Sequence, residues 1–284
     1  MKFASASLLL LAIAAMAQDA PPNPPAPQDA APAPQPPPVL EYTGKPIVVP
    51  FACTLDDIQS AGMTCSDDEP CAIYLELTAV ESVGTKLFVT GNIHASASTL
   101  YTALLGSEDG GRTWREVADR IRASGLDHIQ FADSETGWAS GQLLSPLPQD
   151  PFLLLTTDGG KTWRRQPLFS ETHYGSIQQF FFPGKTGGSL IIDQGPGADG
   201  GRYQLYESPD SGESWLIKEE SNKPLKLKRT APVSDWRVRA DGPTQAYHIE
   251  RRQGDRWTTA AAFAVKLAPC KPPAPEASPA VVKP

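Results

Sequence analysis

The chain writes nearly the same eight letters three times: SEDGGRTW at residues 107–114, TTDGGKTW at 156–163 and SPDSGESW at 208–215. Each copy keeps a hydroxyl residue first, Asp third, Gly fifth, a hydroxyl seventh and Trp last. The Trp residues stand at 114, 163 and 215, a period of about 50 residues, which marks a repeated supersecondary unit rather than a helix or a strand. Working outward, LFVTGN at 87–92, GWASGQ at 137–142 and GSLIID at 188–193 each lead to a variable loop. LYTALLGS, FLLLTT and YQLYES then run into the octets, and a short strand leaves each one. Compact or alternating apolar runs punctuated by Gly and Pro signal strands, so each unit reads as a four-stranded antiparallel blade.

Within the octet, Asp109, Asp158 and Asp210 are predicted to accept backbone N–H bonds across their own turns, and Gly111, Gly160 and Gly212 to supply conformational freedom. The leading hydroxyls of Ser107, Thr156 and Ser208, and the hydroxyl before each Trp, close the turn from either side. Trp114, Trp163 and Trp215 are predicted to bury on the order of 150–250 Å² each between neighbouring sheets.

This SxDxGxTW pattern resembles the Asp-box (BNR) repeat shared by sialidases, related glycan-active propellers, sortilin-type receptors and photosystem II assembly-factor-like proteins. FADSETGWASG at 131–141, upstream of the second octet, is most similar to the assembly-factor-like branch. The resemblance implies an all-β small propeller with the octets as structural turns between the third and fourth strands of each blade. A fourth, eroded unit spans 234–263, where Gly254 and Trp257 keep the Gly-to-Trp spacing and Arg252 stands in place of Asp. The expected blades are therefore about 73–117, 127–168, 177–219 and 226–266, four where family members commonly have six or seven. Either KPIVVPFA at 45–52 pairs into the last blade and closes a small ring, or the chain is an open arc. TLDDIQSAGM at 54–63 reads as a short helix with Thr54 as N-cap and Asp57 three residues on. Trp138 and Trp236 are expected in the blade bodies.

The ends bound the domain. Lys2, an apolar run and Ala15–Met16–Ala17 before Gln18 form a secretory signal peptide at 1–17, with no Cys after the cut to carry a lipid. Residues 18–40 and 269–284 are Pro-rich and poor in large apolar side chains, so both are expected to be disordered, which leaves 41–268 as the propeller domain. No later stretch has the roughly 20 apolar residues of a membrane span. Net charge −7 argues against nucleic acid, and KPLKLKR at 223–229 reads as a solvated strand face. Four Cys behind a signal peptide imply two disulfides. Of the three possible pairings, Cys65 with Cys71 and Cys53 with Cys270 are favoured, the second joining the ends of the domain; a Zn site lacks paired CxxC spacing.

No catalytic set, metal site or cofactor motif emerges. The four His are dispersed, GADGG at 197–201 is a hairpin loop rather than a phosphate cradle, and DRIRA at 119–123 lacks the Pro of the sialidase RIP motif. The resemblance places ligand binding at the end opposite the octets, which collects His94, Arg120, Arg122, Gln142, Asp150, His173, Tyr174 and Asp193. The chain is therefore expected to be a secreted or periplasmic, monomeric module that binds or helps assemble a protein partner in the envelope. The alternatives are a carbohydrate-binding or sialidase-like glycan-cleaving propeller and a purely structural envelope component. Converging carboxylates and Arg at the loop end would favour the hydrolase, and an apolar or aromatic patch the protein partner.

Overall fold

The computed structural model describes residues 37–198, 200–227 and 234–272. The predicted signal peptide, most of the N-terminal Pro-rich segment, the tail beyond residue 272 and part of the basic run at 223–229 lie outside the described residues. Two short elements come first, β1 (Leu40–Glu41) and α1 (Leu55–Ser60). The first blade follows as β2 (Tyr74–Val83), β3 (Lys86–His94), β4 (Thr99–Ser107) and β5 (Thr113–Glu116). The second is β6 (Ser124–Phe131), β7 (Gly137–Leu144), β8 (Pro148–Thr156) and β9 (Arg164–Pro167). The third is β10 (Ser176–Phe181), β11 (Gly188–Asp193), β12 (Tyr203–Ser208) and β13 (Leu216–Ser221), and the fourth is β14 (Trp236–Asp241), β15 (Ala246–Gln253) and β16 (Arg256–Ala264). Each sheet is an antiparallel meander in chain order, which makes this a small four-bladed β-propeller.

The N-terminal segment completes two blades. β1 adds to the outer edge of β5, pairing Leu40 with Trp114. The fourth blade has three strands of its own, and Ile47 takes the outer place beside β16 as a parallel bridge to Phe263. The Ile47 N–H donates to the Ala262 carbonyl and the Ala264 N–H to the Ile47 carbonyl, so KPIVVPFA does pair into the last blade. Disulfides join Cys53 to Cys270, across 217 residues, and Cys65 to Cys71. The basic run is not a strand where it is described: Lys223, Pro224 and Lys226 are exposed, Leu225 and Leu227 half-buried, and the Leu227 N–H reaches the Gln179 side chain. Pro224 and the alternating lysines leave it as an irregular link along the sheet rather than a rung of it.

Burial on both faces explains the apolar runs. In β8, Phe152 and Leu154 point to the first blade beside Phe88 and Leu126, while Leu153 and Leu155 point to the third beside Phe180 and Leu190. In β3, Leu87, Val89 and Ile93 face Ile249, Ala261 and Phe263 of the fourth blade. Among the described residues, apolar clusters therefore join the fourth blade to the first, the first to the second and the second to the third. The far face of the fourth blade is polar: Arg237 and Arg239 both pair with Glu250, and Arg239 also with Asp241.

Candidate functional site

The octets lie at one end of the blades. Each lies between the third and fourth strands of its blade. Ser107, Thr156 and Ser208 accept from the N–H of Gly111, Gly160 and Gly212 at 2.9, 2.9 and 2.8 Å, and donate to Asp109, Asp158 and Asp210 at 2.9 Å. The Asp carboxylates also accept from the N–H and hydroxyl of Thr113, Thr162 and Ser214. Burial would raise the Asp109 carboxyl, but the Thr113, Ser107 and Arg112 bonds outweigh it and hold it at about 2. The Thr162 hydroxyl and N–H, aided by Thr156 and Lys161, hold Asp158 at about 2 against burial. At residue 160, φ is +82° and a Cβ would stand 2.3 Å from the Phe88 ring of the preceding blade, so only Gly fits. Each octet thus staples its blade to a neighbour: Trp114 lies edge-on to Phe263 and Trp163 to Phe88, while the third octet accepts from Trp138 and Gln166 of the second blade at the Ser211 and Gly212 carbonyls, with Trp215 edge-on to Phe182 of its own blade. These carboxylates are consumed in turns and offer nothing to a ligand.

Trp257 in the fourth unit makes a different contact, lying under the Arg237 guanidinium at 4.1 Å. Arg252 points its Nε to the Gly254 carbonyl, in place of the Asp network.

At the opposite end, helix α1 is fixed by a capping box: the Thr54 hydroxyl accepts from the Asp57 N–H, and the Asp57 carboxylate from the Thr54 N–H. That same carboxylate accepts from the Tyr101 hydroxyl at 2.5 Å and from Arg122 at 3.0 Å. Arg122 also pairs with Asp56 and donates to Ser60 and to the Tyr101 oxygen. Burial and the bond to Asp57 push the Tyr101 phenol up, away from the phenolate that a tyrosine nucleophile needs. Arg120 bonds Glu116 and the Pro50 carbonyl and lies 5.6 Å over Phe51. Both arginines, expected as free ligand contacts, are therefore spent on the N-terminal segment and α1.

Five further candidates also serve the scaffold. His94 packs on Tyr74 and contacts the Ala95 carbonyl; Gln142 is buried and donates to Asp127. Asp150 accepts from the His173 N–H, and Asp193 is clamped by Arg202 through two 2.8 Å bonds that keep its carboxyl low. His173 stacks on Phe169 at 4.0 Å, and burial lowers its pKa.

Two grooves remain open at this end. One, of about 650 Å³, runs between α1, Ser98, Thr99, Arg122 and Leu144–Pro146. The other, of about 900 Å³, continues beyond the same β7–β8 loop between Leu147, Pro148, Tyr174 and the Gly195–Pro196–Gly197 turn. Leu147 is 60% exposed and Tyr174 56% exposed. The backbone beneath Tyr174 is strapped to the start of β8, with Asp150 N–H donating to His173 O at 2.7 Å and Gly175 N–H to Pro148 O at 2.8 Å. An apolar pair on a fixed backbone lies here, and Asp193, a carboxylate in the groove lining, is already paired with Arg202. The loop that carries Leu147, LLSPLPQD at 143–150, falls at the end where the resemblance places binding, but Leu147 itself was not among the residues expected to bind.

No family model matches the chain, and no curated protein matches it. Among solved structures it is similar to YCF48 bound to D1 peptide, at 19% identity and a TM-score of 0.36, over 69% of this chain and 56% of that one. It is also similar to a GH74 xyloglucanase from Xanthomonas campestris, at 20% identity and a TM-score of 0.35, over 47% of this chain and 18% of that one. The chain spans little more than half the length of the first and less than a fifth of the second.

Proposed function

We propose that the protein is an exported, non-catalytic propeller of the Asp-box type, with residues 41–268 as its domain, that holds an extended segment of a protein partner in the cell envelope. The observation that carries this reading is the exposed Leu147–Tyr174 pair over a groove of about 900 Å³. Rigid aromatic and aliphatic anchors of this kind supply binding energy at low entropic cost. Glycan cleavage would call for two available carboxylates flanking a bond. Asp57 and Asp193 are instead each held by an arginine, and the Tyr101 phenol is raised. Two disulfides support an oxidising compartment.

The test pairs a peptide-display selection and an envelope pull-down with a glycan array and fluorogenic glycoside assays. Leu147→Ser and Tyr174→Ala should each weaken the selected protein segment at least tenfold, a loss of about 1.4 kcal/mol or more. Glycan binding or hydrolysis by the purified chain, unaffected by those substitutions, would overturn the reading.

A further inference from the structure

We infer that the four cysteines form a thiol–disulfide relay, in which opening of the short Cys65–Cys71 bridge passes to the Cys53–Cys270 bridge and releases the N-terminal segment from the last blade. This reading is independent of the Leu147–Tyr174 groove. All four cysteines pack in one apolar cluster. Their two bridges meet at a single rung, where the Cys71 N–H donates to the Cys270 carbonyl at 3.0 Å and the Cys270 N–H to the Cys71 carbonyl at 2.9 Å. Residues that exchange both bonds across an antiparallel pair share a face, with Cα atoms about 5.5 Å apart. That separation is one a disulfide spans, so a Cys71–Cys270 bridge fits this backbone.

The two sides of the long bridge are held differently. Residues 71–75 and 265–270 are laced together by further bonds, from the Leu267 N–H to the Ile73 carbonyl at 2.9 Å and from the Leu75 N–H to the Val265 carbonyl at 2.7 Å. Cys71 therefore stays beside Cys270 when its own bridge opens. By contrast, the backbone of residues 51–53 makes no hydrogen bond among the described residues, so the Cys53 end is free to move away. Access follows the same order. Cys270 is fully buried, whereas Cys65 and Cys71 are half-buried beside the exposed turn at 66–70. Asp67, Asp68 and Glu69 stand in that turn, so an uncharged dithiol approaches the short bridge more readily than an anionic thiol.

The chemistry balances with that dithiol as the one reductant. Two successive exchanges break the Cys65–Cys71 bond, leave two protein thiols and convert the dithiol to its own disulfide. The Cys71 thiolate then attacks the Cys270 sulfur. The Cys71–Cys270 bond forms, the Cys53–Cys270 bond breaks, and its electron pair leaves on Cys53, which takes up a proton. The new bridge closes about 200 residues where the old one closes 217, and closure entropy varies only with the logarithm of length, so the exchange is nearly neutral in chain entropy. What changes is the tether: Cys53, immediately before the α1 N-cap, is no longer fixed to the last blade.

The experiment compares Cys65→Ser, which frees Cys71 with no reductant present, with Cys71→Ser, which removes the attacking sulfur. Each full chain is quenched in acid, labelled with N-ethylmaleimide, digested and mapped by mass spectrometry. The expected result for Cys65→Ser is a peptide pair bridged from 71 to 270, with label on Cys53. For Cys71→Ser it is an intact Cys53–Cys270 bridge, with label on Cys65 alone. A timed dithiothreitol pulse on the unsubstituted chain reads the same relay and decides the matter if Cys65→Ser does not fold. Label should appear first on 65 and 71, and then on 53 as it disappears from 71. Three results would each overturn the inference: a Cys65→Ser chain that keeps only Cys53–Cys270, release of Cys53 in Cys71→Ser, or a pulse that labels Cys53 with no 71-to-270 bridge formed.

Discussion

At the scale of single residues, the octet Asp is the most demanding position in the fold. Asp109 takes bonds from the Ser107 hydroxyl, the Arg112 N–H and both donors of Thr113. Asp210 lacks the Arg112 equivalent, because the Glu213 N–H turns to the Asp210 carbonyl instead. Asp109→Asn is therefore expected to lower stability by about 2 kcal/mol, the value of hydrogen bonds to a charged acceptor. That corresponds to a Tm about 4–8 °C lower for a domain of this size. Asp210→Asn should do less. The pH dependence follows from carboxyls held at about 2 in the fold against an ordinary 3.8. Depressed carboxyls stabilise the fold fully above 3.8, and that contribution disappears as the pH falls through about 2. Urea midpoints recorded from pH 5 to pH 2 should drop across that window, and Asp158→Asn should flatten the drop.

At the scale of elements, the strands and turns could be read before the structure, since strands buried on both faces write compact apolar runs such as FLLLTT and the octets announce their own turns. The helix was readable too, from Thr54 and Asp57. What the sequence hid was the use of Arg120 and Arg122, because their partners Pro50 and Asp57 lie 70 and 65 residues away and meet them only after the N-terminal segment wraps the first blade. The loop at 143–150 could be placed at the binding end, but not which of its residues stays exposed, since the exposure of Leu147 depends on how three loops part.

The connection between the second and third blades shows what such packing does. His173 stacks on Phe169, and Phe169 lies edge-on to Tyr206. Burial lowers the His173 pKa below its ordinary 6.5, so the neutral ring belongs to the fold. Its contribution is complete above 6.5 and is lost as the pH falls through the lower folded value. Amides of residues 168–175 should exchange faster at pH 5 than at pH 7.5 after correction for intrinsic rates, and His173→Phe should remove the difference. Nearby, Phe182 stacks on Trp138 with centroids 3.8 Å apart and is 1% exposed. Phe182→Ala should destabilise the protein by about 3–5 kcal/mol in urea unfolding.

For the whole molecule, the decisive feature is which blades hold one another. Apolar packing among the described residues runs fourth, first, second, third, and the first of these seams is reinforced by the N-terminal segment. Ile47 bonds β16, Val49 and Phe51 enter the shared core, and Cys53 is bridged to Cys270. The fourth blade needs that help because its octet is eroded and its far face is a charged network around Glu250. Chain-entropy reasoning gives the bridge across 217 residues about 5 kcal/mol and the bridge across 6 residues about 2. Replacing Cys53 and Cys270 together by Ala should therefore destabilise the protein by more than twice as much as replacing Cys65 and Cys71. It should also do so unevenly. Trp236 and Trp257 lie in the fourth blade, whereas Trp138 lies at the seam between the second and third. With the long bridge removed, fluorinated-tryptophan signals from 236 and 257 should melt before that of 138, whereas in the parent all three should melt together. A single coincident transition in the double variant would show instead that Ile47, Val49 and Phe51 alone bind the fourth blade to the first.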